Sequence, residues 1–141
     1  MPATHTLPIE QLIRSFKDRS LPAAHFTHEA HLRTGLWYVY HHQDDEATCL
    51  LRAGIIIYNH SQGGVNDASN GYHETITLFW IAILSRFVRQ FPADTAFEEI
   101  EQKFMNSPLA DKNLPFLYFS RERLLSAAAR SRWMEPDIQP I

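Results

Sequence analysis

The chain has 141 residues, enough for one domain with a real core and too few for two of ordinary size. Thirteen Lys and Arg against 16 Asp and Glu leave a formal charge of −3, which argues against a nucleic-acid binder working through bulk positive charge. Apolar residues at 45% and charged residues at 21% are those of a folded globular chain, one Cys excludes an internal disulfide framework, and eight His are the compositional peculiarity.

Ile9, Leu12, Ile13 and Phe16 recur at helical spacing and predict a first helix over residues 8–18, with Pro8 in the first turn, where its missing N–H is not needed. Leu21-Pro22 interrupts the chain. A second helix follows over 28–42, capped by Thr27, and a third over 45–59, capped by Asp44 or Asp45. The run 54–58 would also suit a buried strand, but no second strand-like run exists to pair with it. Residues 61–71 are nearly all turn formers and make the main loop. Tyr72, Ile76, Trp80, Ile83, Phe87 and Phe91 keep register in a fourth helix over 72–90, with Thr75, Ala82, Arg86 and Arg89 on the opposite, polar side. Pro92 ends it. Thr95 and Glu98 read as a capping box for a fifth helix reaching Met105, and Ser120 caps a last helix to about residue 132. The tail 135–141 is too rich in Pro for helix and is expected to lie extended, as residues 1–6 are expected to fray. The expected fold is all-α: a single-domain irregular bundle of five or six helices packed around the second and fourth.

The histidines divide by helical phase at about 100° per residue. His28 falls in the apolar stripe of the second helix with Leu32, Gly35 and Val39, and His31 borders it, while Arg33, Thr34, Trp37 and His41 fall on the far side. Gly35 weakens the helix and implies a packing reason, such as close approach by a neighbouring backbone. On the fourth helix His73 points coreward with Thr77, Trp80 and Leu84, and Glu74 flanks it. His28 and His73 lie in first turns, where the positive end of the helix dipole keeps imidazole neutral and able to bind metal or act as a base. His28, His31 and His73 are therefore candidate ligands of a divalent metal (zinc, iron or manganese), with Glu74 as a further ligand or general base, and Glu74 and His73 as candidate catalytic residues. The plainer reading is a set of buried polar groups satisfied by their neighbours.

His41 and His42 are expected in solvent at a helix end, His5 in the frayed terminus, and His25 and His60 at the surface. Cys49 reads as a small buried residue in mid-helix. No nucleophile elbow, phosphate-binding loop or Cys-x-x-Cys pair is present. Arg123 and Arg130, seven residues apart on one expected helix, would either face an anionic substrate or pair with surface acids. Thr77 and Trp80 are candidate substrate-binding residues, with the aromatic residues walling an apolar pocket.

Three patches, Phe26-Thr27-His28-Glu29-Ala30-His31-Leu32, Tyr72-His73-Glu74-Thr75-Ile76-Thr77 and Ser120-Arg121-Glu122-Arg123-Leu124, resemble a group of small bacterial all-helical proteins with no assigned activity. The resemblance runs from the second helix to Pro136-Asp137 and implies a bacterial source. It brings no reaction with it.

Two classes of function stay open. One is a small enzyme with an interior His/Glu site, metal-dependent and acting on a small molecule, an anionic one where Arg123 faces it. The other is a non-catalytic module that binds a small molecule or a protein through its aromatic pocket; a homodimer burying Trp37 and Tyr40 is a third arrangement. No nucleic-acid or membrane partner is expected: the longest apolar run, 78–84, is far short of the ~20 residues that span a bilayer. The absence of a leader pattern at the N-terminus and the lone Cys49 point to the cytoplasm.

Overall fold

Residues 7–141 are described in a computed structural model, so the fraying expected of residues 1–6, His5 included, lies outside the described part. The architecture is all-helical: α1 (Ile9–Lys17), α2 (His28–His41), α3 (Asp44–Ser61), α4 (Glu74–Val88), α5 (Phe97–Met105), α6 (Arg121–Leu124) and α7 (Ala127–Ser131), with single 3-10 turns at Ala23–His25, Pro108–Ala110 and Leu114–Leu117. Among the described residues there is no strand, so the 54–58 run is helical, inside α3.

The bundle is organised around α2, which packs against α1, α3, α4 and α5. Its side expected to be polar is buried as well. Arg33 is covered by α5, where its Nε donates to Glu101 Oε2 at 2.6 Å, and the neighbouring Thr34 is buried. Phasing alone missed this because α5 covers part of the face that phasing left to solvent. The most extensive pairing is α2 with α4, and Gly35 sits in it: a Cβ there would stand 2.7 Å from Leu84 Cδ1. The packing reason for Gly35 is thus the close approach of the Leu84 side chain.

Several helix ends differ from expectation. Thr27 caps α2, its side chain accepting from Ala30 N–H. The α3 cap is Gln43, and Asp44 turns outward to accept from Ser85 Oγ at 2.8 Å and to pair with Arg89. Ala96, not Thr95, precedes α5, and no side chain caps it; the Thr95 carbonyl instead accepts the Tyr40 hydroxyl at 2.6 Å. The expected last helix is two short ones, since Ser120 caps α6 and Ser126 starts a second capped turn at α7. A serine hydroxyl competes for backbone N–H groups and can end one helical run by opening the next.

The segment after α7 closes over α4. Thr75, expected on a polar face, is fully buried: its hydroxyl donates to the Arg132 carbonyl and accepts from Met134 N–H. The tail beyond is held at several points, Arg123 donating to the Glu135 carbonyl among them. Asp137 accepts from the Ser120 N–H and hydroxyl, Ile138 N–H donates to Tyr118 O, and Gln139 donates to Leu117 O. Cys49 is exposed, which corrects the buried position expected of it. Trp37 and Tyr40 are half-buried within the chain, Trp37 beneath Lys17 and Tyr40 edge-on to Phe97.

Candidate functional site

The residues expected to form one cluster are divided between two places. His73 is the N-cap of α4 and not a first-turn residue. Its Nδ1 accepts from Ile76 N–H at 3.1 Å, and its Nε2 donates to the Leu124 carbonyl at 2.7 Å. A carbonyl only accepts, so Nε2 carries the proton and Nδ1 is the acceptor. Both nitrogens are therefore occupied, Nδ1 in capping α4 and Nε2 in tying its start to α6. Burial pushes the His73 pKa down, and Arg130 adds to that, against the opposing pull of the Leu124 carbonyl.

Glu74 opens α4 and faces away from His28 and His31, towards α3. Arg52 grips it with both prongs, Nε to Oε1 at 3.0 Å and Nη2 to Oε2 at 2.5 Å, and the Tyr72 hydroxyl donates to Oε1 at 2.5 Å. Burial alone would raise the Glu74 pKa, but the Arg52 and Tyr72 bonds outweigh it and hold the group below its ordinary value. Burial and the bond to Glu74 push the Tyr72 phenol up to about 12. A carboxylate so held is a structural anion: it is ionised and already paired with a cation. Glu74, Arg52, Tyr72 and Arg130 line an open cleft of about 690 Å³ between α3, the 66–72 loop and α7. Arg130 is engaged there, donating to the Gly71 and Tyr72 carbonyls, and Arg123 Nε donates to the Glu135 carbonyl at 2.5 Å. Because the last helix is broken, the two arginines do not form the clamp that a seven-residue spacing implied.

His28 and His31 lie at a second place, a cavity of about 420 Å³ between α2, α3 and α4. Leu32, Leu51, Ile55, Ile76, Ile81 and Leu84 make its walls. Its polar groups are His28, His31, Thr77, Trp80 and Lys112. Four of these were expected at a site; Thr77 and Trp80 line the cavity with the two histidines although His73 does not. The Thr77 hydroxyl is engaged inside its own helix, donating to the His73 carbonyl at 2.7 Å. The His28 ring leans on Trp80, with centroids 5.5 Å apart.

Each cavity histidine has one nitrogen committed. His28 Nε2 donates to the Ala110 carbonyl at 2.9 Å, and His31 Nδ1 donates to the Thr27 carbonyl at 2.8 Å. In the neutral rings this leaves His28 Nδ1 and His31 Nε2 unprotonated, and neither has a hydrogen-bond partner among the described residues. His31 retains solvent access as a residue while its ring face is covered by Phe26, stacked at 3.7 Å. That cover dominates its titration: burial lowers its pKa, the Thr27 carbonyl opposes this, and His28 adds a smaller lowering. His31 also lines a surface groove with Phe26, Tyr58 and the 62–71 loop, so its ring stands between the interior cavity and the outside.

The expected trio of metal ligands is thus not assembled: His73 is bonded at both nitrogens, and among the described residues no group of three or more His, Cys, Asp or Glu is gathered as a metal ion would need. Lys112 at the cavity and Arg52 at the Glu74 cleft are the lining residues that sequence reasoning missed. Arg52 had a signal, since a partly buried Glu74 demands a cation. Lys112 had none, because it reaches the cavity through an irregular segment more than 80 residues from His28. Compared with protein-family models, curated proteins and solved structures, the chain finds no match. Among the described residues, no helix is long and apolar enough to cross a membrane.

Proposed function

We propose that the protein binds a small, mainly apolar molecule in the cavity between α2, α3 and α4. The observation that carries this reading is the cavity itself: about 420 Å³, with aliphatic walls and a few polar groups. That is the composition of small-molecule sites, where apolar surface supplies affinity and sparse polar atoms supply orientation. The Glu74 cleft is a poorer candidate, since Arg52 and Glu74 already pair there and Arg130 is bonded to backbone carbonyls.

The test is titration of the full chain with a neutral apolar dye such as Nile red, following dye emission and melting temperature. The wild-type protein should saturate and melt higher, because a ligand bound only by the folded state stabilises it by mass action. Ile55→Trp fills the cavity from a half-buried wall position and should remove both effects while keeping the helical signal. Equal dye binding by this variant would count against the cavity.

A second reading has its own observation. In the neutral rings His28 Nδ1 and His31 Nε2 are open acceptor nitrogens whose partner nitrogens are fixed by backbone carbonyls, an arrangement that suits histidine to act as a base or to bind a metal. In this reading the cavity is an active site, with the pair acting as a base or holding a divalent ion (zinc, iron or manganese) with solvent ligands. Elemental analysis of untagged protein tests the metal form. Stoichiometric metal lost in His31→Ala would favour it, and metal content unchanged by that substitution would refute it.

A further inference from the structure

We infer that the molecule taken up by this cavity carries an acidic head, read by Lys112 with His28 as the positioning residue. This rests on the cavity being a ligand site and adds the class of ligand. Lys112 is the single charged side chain lining the cavity, and no carboxylate lines it. Its ammonium has no ion pair or hydrogen bond among the described residues, although the neighbouring Asp111 side chain is engaged, accepting from Asn113 N–H at 2.8 Å. The Trp80 indole N–H, a second donor on the cavity wall, likewise has no acceptor among the described residues. Against aliphatic walls, one cation and one neutral donor select a carboxylate over a cation or an uncharged head.

The placement of Lys112 is built rather than incidental. His28, rooted in the first turn of α2 and leaning on Trp80, donates to the Ala110 carbonyl at 2.9 Å and so ties the chain two residues before Lys112 to the rim of the cavity. Pro108 and the Ser107 cap stiffen the turn that leads there. An alkyl chain lying along Leu32, Ile76 and Leu84 would carry its carboxylate to the Lys112 end.

The test compares octanoate with octanamide, which share the apolar body and differ in charge, by calorimetric titration of the full chain. Octanoate should bind at least about tenfold more tightly, a preference of about 1.4 kcal/mol. Lys112→Gln should bring the two affinities together by weakening octanoate alone, and Lys112→Arg should restore the preference. Lys112 is exposed, so neither variant threatens the fold. Octanamide binding as well as octanoate, or a preference that survives Lys112→Gln, would overturn the inference and leave the cavity reading standing. Failure of both ligands to bind would bring down the two together.

Discussion

At the residue scale, a histidine at the start of a helix has two opposite meanings, and the hydrogen-bond geometry separates them. His73 behaves as a cap, with Nδ1 accepting from its own helix and Nε2 joining α4 to α6. Its folded-state pKa is depressed, so the unfolded chain binds the proton more readily. Stability from this group is therefore complete above the ordinary histidine value of about 6.5 and is lost as pH falls through that value towards the depressed one, at a slope of up to about 1.4 kcal/mol per pH unit for one proton. His31 and His41 are also lowered, both chiefly by burial, and add slope of the same sign in the same window. Melting temperature should fall as pH is lowered from about 7 to about 5. In His73→Asn, which keeps a good cap acceptor and an amide donor but cannot titrate, the fall should be shallower; an unchanged slope would show that His73 is not a contributor. Glu74→Gln gives a second expectation. Loss of the charged bonds to Arg52 and Tyr72 should lower stability by about 1–3 kcal/mol by denaturant unfolding and leave dye binding unchanged. The residue types at these positions were visible in the sequence, and their partners were not, because Leu124 and Arg52 lie 51 and 22 residues away along the chain.

At the scale of elements, helical periodicity located α1 to α5 well, because burial of an apolar stripe dominates helices of that length. It failed where competing local hydrogen bonds decide the outcome. The break between α6 and α7 depends on Ser126 taking the role of a cap, and the start of α5 on Tyr40 claiming the Thr95 carbonyl. Gly35 was legible as a packing feature, and its consequence belongs to the α2–α4 pair. Leu84, which a Cβ at Gly35 would press, also lines the cavity and has room to turn into it. Gly35→Ala should consequently leave stability within about 1 kcal/mol, the helix gain offsetting the displacement, while it reduces the cavity and weakens dye binding. A loss of several kcal/mol on thermal unfolding would mean that Leu84 cannot move.

For the whole molecule, the four best-placed candidates read from the sequence, His28, His31, Thr77 and Trp80, meet at one cavity, whereas His73, Glu74 and Arg123 serve the frame around it. Phasing placed side chains on faces, but the division between cavity and frame depends on α3, on the 108–112 segment and on the tail, all brought in from distant sequence. Amide NMR spectra of the full chain during addition of octanamide test this division most directly. Shifts should concentrate at Leu32, Ile76, Trp80 and their neighbours on α2 and α4, with Tyr72, Glu74 and Arg130 unmoved. Shifts centred on the Arg52–Glu74 cleft, with the cavity residues silent, would contradict it.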